Sequence, residues 1–107
     1  MSELNRYTVI MTQTALDSLN QKALFIRNAY QDPNLAMKWF LRLRAEVENE
    51  LSVLPYKYPV YNKGKWRDTG VHIFTIRNDV VLYEIDEEAA VVYVRNIFTR
   101  GKDLSRD

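Results

Sequence analysis

The chain has 107 residues, of which 47% are hydrophobic and 27% are charged, and we expect residues 1–107 to form one globular domain. Cysteine is absent, which excludes disulfides and cysteine nucleophiles, and the single histidine disfavours a protein-only zinc site, so no metal or cofactor is expected. The net charge of +1 provides little overall attraction to nucleic acid.

The sequence carries no pattern that indicates a membrane or a secretory route. No segment approaches the roughly 20 apolar residues of a membrane-spanning helix. The first residues, MSELNRY, lack the apolar core of a secretion signal. We therefore expect a cytoplasmic protein without membrane contacts.

The first elements along the chain are predicted to be a strand and a helix. Tyr7 to Met11 is a short apolar run with β-branched residues, which is typical of a strand. The stretch Thr14-Ala-Leu-Asp17 resembles a capping box and predicts the start of the helix. Apolar residues then recur at spacings of three and four as far as Tyr30, which predicts one buried helix face.

A second helix follows after a short turn. Asp32 is a suitable cap and Pro33 suits the first helical position, because proline has a fixed φ and needs no hydrogen-bond acceptor there. The predicted buried face consists of Ala36, Phe40, Leu43, Val47, Leu51 and Leu54. Two amphipathic helices joined so closely should form an antiparallel hairpin.

Two prolines shape the segment after the second helix. Pro55 is expected to end the helix, and Pro59 excludes a central strand. We expect residues 56–61 to form an edge strand or an extended arm. Their tyrosines, Tyr56, Tyr58 and Tyr61, either stack nucleic-acid bases or pack the arm against the helices, and packing is the favoured interpretation.

The stretch from His72 to Asp103 predicts three adjacent strands. Asn78-Asp79 and Asp86-Glu87-Glu88 indicate turns. Val80 to Tyr83 and Val91 to Val94 are almost entirely apolar or aromatic, which predicts that both faces of the sheet are covered. The order of elements, β-α-α followed by three or four strands, predicts an α+β fold with a helical hairpin packed on a small, mostly antiparallel sheet.

Basic residues are concentrated between the second helix and the second predicted strand. Residues 57–77 contain Lys57, Lys63, Lys65, Arg67 and Arg77 against Asp68 as the one acidic residue. Two interpretations remain open. The cations either form a solvated loop or a basic patch that contacts phosphates.

Short sequence pieces recur in the order and spacing of a known family. They are Ala15-Leu16-x-x-Leu19, Pro33-x-x-Ala36, Leu54-Pro55 with Tyr58-Pro59, Gly70-Val71, Val81 to Asp86, and Val94-x-x-Ile97 leading to Arg100 and Asp103. From Tyr7 to about Asp103 the chain resembles the RelE/ParE superfamily of toxins from bacterial type II toxin–antitoxin modules. The similarity is greatest to the ParE-like or plasmid-stabilisation branch.

The resemblance implies a toxin that arrests growth and a cognate antitoxin that wraps around it. It leaves the target open. ParE-like members inhibit DNA gyrase by binding, whereas RelE-like members are ribosome-dependent mRNA endoribonucleases. A third hypothesis is an inactive protein with the toxin fold that serves only in interaction and autoregulation. The oligomeric state is not indicated.

Cleavage of RNA needs a base, cations that stabilise the developing phosphate charge, and an acid for the leaving oxygen. By the resemblance, Arg77 corresponds approximately to the family's strand arginine, and Arg100 keeps the spacing of the arginine after the last strand. Lys63 and Lys65 lie in the region of the family's lysines. The tail, residues 101–107, contains no tyrosine or histidine to act as the acid. This absence favours the ParE-like hypothesis and leaves enzymatic activity open.

The single histidine, His72, lies where many ParE-like relatives carry an arginine. It is either a packed residue or an acid–base candidate, since an imidazole titrates near neutral pH. Strand alternation places His72 and Arg77 on opposite faces of the sheet, which argues against a joint active site unless a bulge intervenes. The candidate catalytic residues are therefore Arg77, Arg100, Lys65 and His72.

The last predicted strand contains a further arginine, Arg95. Alternation places Arg95 on one face together with Val91, Tyr93 and Ile97, and places Val92, Val94, Asn96 and Phe98 on the other. We expect a structural ion pair between Arg95 and Glu84 of the neighbouring strand.

Overall fold

The computed structural model describes residues 6–100, which form two helices and a four-stranded sheet. In chain order the elements are β1 (Thr8–Met11), α1 (Gln13–Tyr30), α2 (Pro33–Leu51), β2 (His72–Ile76), β3 (Asp79–Asp86) and β4 (Val91–Thr99). The strands lie in the order β1-β4-β3-β2; β1 is parallel to β4, and the other pairs are antiparallel. The predicted α+β architecture is confirmed.

The turn between the helices forms as the sequence predicts. The Asp32 carboxylate accepts hydrogen bonds from the amides of Asn34 and Leu35 at 3.0 and 3.2 Å, and Pro33 occupies the first helical position. Gln31 ends α1 in the left-handed conformation. This tight connection holds α1 and α2 against each other as the predicted hairpin.

The start of α1 differs from the prediction, because Thr12 rather than Thr14 caps the helix. The Thr12 Oγ1 atom accepts a hydrogen bond from the Ala15 amide at 3.3 Å and donates to the Val94 carbonyl at 2.7 Å. Thr14 is already helical and exposed. The contact with β4 fixes the cap, and a local capping-box pattern cannot indicate that contact.

The end of α2 also corrects the prediction. The helix ends at Leu51, and Leu54 has a φ of 54° with 57% of its surface exposed, so it does not belong to the buried helix face. The ring of Pro55 disfavours a right-handed helical conformation for the residue before it. Pro55–Lys57 then forms a short 3₁₀ turn.

The first two residues of the predicted arm, residues 56–61, belong to this 3₁₀ turn, and the rest of the arm is extended and runs along β2. The Ile73 amide donates to the Pro59 carbonyl at 2.9 Å, and the Tyr61 amide donates to the Val71 carbonyl at 2.7 Å. A second 3₁₀ turn, Gly64–Trp66, lies between the arm and β2.

The two helices cover one face of the sheet, which is called the helix-covered face below. Its buried core contains Ala15, Leu19, Leu43, Val47 and Leu51 from the helices and Phe74, Val81, Tyr83, Val92, Val94 and Ile97 from the strands. The opposite, loop-covered face buries Val71, Leu82 and Phe98 beneath Tyr61 and Trp66. Both faces are therefore covered, as predicted, and the second layer is the loop before β2.

A bulge in β4 changes which residues face the helices. Tyr83 pairs with Val94 and Leu82 pairs with Asn96, so the backbone of Arg95 is not paired with a β3 residue. As a result, Ile97 joins the helix-covered core. Phe98 joins the loop-covered core. The predicted grouping of Ile97 with Arg95, and of Phe98 with Val94, is wrong because one extra residue reverses the alternation.

Candidate functional site

His72 is a packed residue on the helix-covered face. Its ring stacks on the Tyr83 ring, with 5.2 Å between centroids and 18° between planes, and it contacts the Tyr56 ring edge-on. Its Nδ1 atom lies 2.7 Å from the carbonyl oxygen of Tyr58. These contacts tie the extended arm to β2 and account for the histidine without catalysis.

Arg77 lies in the turn between β2 and β3 instead of on a strand. Its φ is 51°, and its guanidinium donates to the Glu46 carboxylate of α2 at 2.5 Å. This hydrogen bond lowers the pKa of Glu46 and raises that of Arg77. Because the left-handed residue redirects the chain, Arg77 lies on the helix side, as His72 does. The predicted separation of these two residues on opposite faces is wrong, although each is engaged with different partners.

Lys65 lies on the other side of the sheet. Its ammonium is 5.2 Å from the centre of the Trp66 ring, and Trp66 packs against the loop-covered core. Lys65 therefore lies beside the loop-covered core, whereas His72 and Arg77 contact residues on the helix side.

Arg100 directly follows β4. Its amide donates to the Asn78 carbonyl at 2.7 Å, which anchors the strand end to the β2–β3 turn. Its side chain is exposed and forms no ion pair with any residue between 6 and 100. The predicted absence of an acid concerns residues 101–107, which lie outside the described residues.

The arm tyrosine Tyr58 packs between the helices and the sheet. Its ring stacks on Phe74, with 4.6 Å between centroids, and its hydroxyl donates to the Glu50 carboxylate. This hydrogen bond, together with burial and the charge of Glu50, raises the pKa of Tyr58 to about 12. For Tyr58 the geometry supports packing rather than base stacking.

The predicted ion pair between Arg95 and Glu84 is present but long, at 3.9 Å. The structure also brings Arg95 next to Lys65, in a cleft with the first residues of α1. Sequence reasoning missed this proximity. The proximity could have been predicted only from a β-bulge at Arg95, and no sequence pattern indicates that bulge.

The four candidate residues thus do not form one catalytic group. His72 and Arg77 are occupied on the helix side, Lys65 lies on the opposite face, and Arg100 is at the end of β4. Between residues 6 and 100, no three His, Cys, Asp or Glu side chains are grouped in a way that could hold a metal ion. Neither helix in this range combines the length and apolar character needed to cross a bilayer.

This architecture is the RelE-like fold, which confirms the expected fold. One chain of the crystal structure of the RelBE2 toxin–antitoxin complex from Mycobacterium tuberculosis matches this chain with a TM-score of 0.65 and 19% sequence identity. The match covers 95% of this chain and 100% of that chain. No family model matches the sequence, and no curated protein is significantly similar to it. At this identity the likeness establishes the fold.

Proposed function

We propose that this protein is the toxin of a type II toxin–antitoxin module, which arrests growth when its antitoxin is absent. Two observations support the proposal. The fold is RelE-like, and the similar structure is that of a toxin–antitoxin complex. In addition, the hairpin exposes large apolar side chains, including Phe25 at 69% and Met37 at 58%, which is typical of a surface that meets a protein partner.

Within this class, the toxin acts by binding DNA gyrase rather than by cutting mRNA. The observation that carries this choice is the separation of the candidate catalytic residues. Arg77 is held by Glu46 and His72 by the arm, both on the helix side. Lys65 lies across the sheet. Acid–base cleavage needs these groups around one phosphate, whereas inhibition by binding needs only a complementary surface.

The gyrase proposal is tested with purified protein. Supercoiling by gyrase should fall as the protein is added, and the antitoxin encoded by the adjacent reading frame should restore it. Unchanged supercoiling at protein concentrations well above those of gyrase contradicts the gyrase target.

The RNase alternative is tested in cells and on translating ribosomes. We expect growth arrest with intact mRNA. If mRNA is cut instead, Arg100→Ala should slow cleavage by roughly a hundredfold, because a cation directed at developing charge contributes strongly to catalysis. Arg44→Ala is the matched control, since Arg44 is an exposed arginine paired with Glu48 on α2 and not with a partner of Arg77.

The toxin class itself is tested by expression with and without the adjacent frame. If the protein arrests growth and co-expression of a short acidic partner relieves that arrest, the result supports a toxin. The absence of any growth defect from the folded protein without the partner would favour an inactive protein of the same fold.

A further inference from the structure

The loop before β2 is closed at its base. The Tyr61 amide donates to the Val71 carbonyl at 2.7 Å, and this hydrogen bond holds the two ends of residues 62–70 together. Surface loops whose ends lie close together form compact units of their own. Residues 62–70 are called the flap below.

The flap makes its hydrogen bonds within itself and with its base. The Asp68 amide donates to the Asn62 Oδ1 atom at 2.7 Å, and the Trp66 carbonyl accepts hydrogen bonds from the amide and the hydroxyl of Thr69. Among residues 6–100, no hydrogen bond joins the flap to a helix or to a strand of the sheet. The flap can therefore move away from the sheet without breaking a hydrogen bond to it.

Ion pairs do not attach the flap to the sheet either. Its three cations, Lys63, Lys65 and Arg67, are exposed and form no ion pair with any residue between 6 and 100. Lys65 lines the same cleft as Arg95 of β4, and like charges in one cleft repel each other. Electrostatic attraction therefore does not keep the flap closed.

The side chain that fastens the flap to the sheet is that of Trp66. Its ring packs against the loop-covered core, which includes Val71 and Leu82. Its indole Nε1 atom is buried and has no hydrogen-bond partner among residues 6–100. Burial of the ring stabilises the closed flap, whereas burial of an unpaired donor offsets part of that stabilisation. Opening returns this donor to water.

The last residue of the flap is suited to be its hinge. Gly70 has a φ of 80°, and a Cβ atom at this position would meet nothing within 4 Å outside its chain neighbours. Glycine changes between left-handed and extended conformations without steric cost. The backbone of Gly70 can therefore rotate as the flap moves.

We propose that residues 62–70 form a flap that swings away from the sheet while the helices and strands stay folded. Opening uncovers Val71 and Leu82, which are fully buried in the closed structure, and moves Lys65 away from Arg95. The flap thus controls access to the loop-covered core. This inference concerns the folded chain alone and does not rest on the proposed toxin activity.

Opening is measured by the reaction of a buried thiol with a thiol reagent. The chain contains no cysteine, so an introduced cysteine is the only thiol that reacts. Val71→Cys places a thiol beneath the flap, and Val81→Cys places one beneath the helices; both valines are fully buried. Thr14→Cys, at an exposed position, gives the rate for an accessible thiol.

The two buried thiols should react at different rates. We expect Val71→Cys to react roughly a hundredfold faster than Val81→Cys, and more slowly than Thr14→Cys, because local opening requires less free energy than global unfolding. Low concentrations of urea should accelerate the reaction of Val81→Cys and leave that of Val71→Cys nearly unchanged, because flap opening exposes little surface.

A weakened helix-covered core separates flap opening from unfolding of the whole domain. Val47 of α2 is fully buried in that core, so Val47→Ala lowers the stability of the domain. In the Val47→Ala background, Val81→Cys should react roughly tenfold faster, whereas Val71→Cys should keep its rate. If Val47→Ala does not fold, the urea series makes the same distinction.

The role of Trp66 as the fastening side chain has its own variant. Trp66→Ala removes the packing that stabilises the closed flap, so it should accelerate the reaction of Val71→Cys roughly tenfold. Arg67→Ala, at the next residue, is the control, because Arg67 is exposed and should leave the rate unchanged. Equal effects of the two variants would contradict the role of Trp66 and overturn the proposal.

The proposal is overturned if Val71→Cys and Val81→Cys react at equal rates, or if Val47→Ala accelerates both to the same extent. In either case Val71 would be uncovered only by global unfolding. A Val71→Cys variant that reacts as fast as Thr14→Cys also overturns it, since no closed flap would then protect the thiol. Growth assays are not needed, so failure here is distinct from failure of the toxin proposal.

Discussion

The Lys22 ammonium lies 2.5 Å from the carboxylate of Asp79, and this pair joins the middle of α1 to the start of β3. The Asp79 side chain is only 4% exposed, whereas that of Lys22 is 25% exposed. Asp79 follows Asn78, whose carbonyl accepts a hydrogen bond from the Arg100 amide. The ion pair therefore fixes the turn that anchors the end of β4.

Removal of Lys22 should destabilise the protein strongly. Lys22→Met leaves the buried Asp79 carboxylate without its partner, and we expect the free energy of unfolding to fall by about 3 kcal/mol. Urea unfolding measures this loss. Arg42→Met breaks an exposed pair and should cost no more than about 1 kcal/mol. Equal losses for the two variants would show that the Asp79 carboxylate does not depend on Lys22.

The position of the α1 cap gives a second prediction. Thr12→Ala removes the acceptor of the Ala15 amide and the donor to the Val94 carbonyl, so it should cost about 1–2 kcal/mol of stability. Thr14→Ala, two residues along, should change stability by less than about 0.5 kcal/mol because Thr14 is exposed and helical. Thermal unfolding of the Thr12→Ala and Thr14→Ala variants measures the two losses of stability. A larger loss of stability for Thr14→Ala than for Thr12→Ala would instead support the capping box at Thr14 that the sequence predicts.

The left-handed conformation of Arg77 predicts an unusual order of stability among its variants. Arg77→Ala and Arg77→Gly both lose the ion pair with Glu46, but glycine adopts a φ of 51° without steric strain. The glycine variant should therefore be the more stable of the two by about 1 kcal/mol. Chemical denaturation provides the comparison. An alanine variant as stable as the glycine variant would contradict a left-handed residue here.

The same ion pair predicts a dependence on acid. The hydrogen bond from Arg77 lowers the pKa of Glu46 below its ordinary value of 4.5. A lowered carboxyl pKa stabilises the folded state above that ordinary value, and the contribution is lost as the pH falls through the folded-state pKa. The stability gap between wild type and Arg77→Ala should thus narrow on acidification below about pH 4.5. If the stability difference between wild type and Arg77→Ala stays constant through this range, ionisation of Glu46 is not the cause of that difference.

Tyr58 predicts a change at alkaline pH. The hydrogen bond to Glu50 raises the pKa of Tyr58 from 10.0 to about 12. A raised tyrosine pKa means that its contribution to stability is complete below about pH 10 and is lost as the pH rises to about 12. The stability difference between wild type and Tyr58→Phe should shrink across this interval. Monitoring the phenolate absorbance together with unfolding tests whether the loss follows ionisation.

Structural features that depend on residues close together in the chain can be predicted from the sequence. Asp32 and Pro33 define the start of α2, because a cap and its helix lie within one turn. The apolar runs of β3 and β4 indicate a sheet that is covered on both faces. These patterns are sufficient for the α+β fold.

The side-chain contacts at the candidate sites depend on how distant segments pack together. The hydrogen bond from Thr12 to the Val94 carbonyl makes Thr12 the cap of α1. The left-handed conformation of Arg77 brings its guanidinium to Glu46 on α2. The bulge reverses the alternation after Arg95 and brings that residue beside Lys65 and the start of α1. Each of these outcomes depends on contacts between residues far apart in the chain. Local propensity and periodicity contain no information about such contacts, so the fold follows from the sequence while the candidate sites follow from the packing.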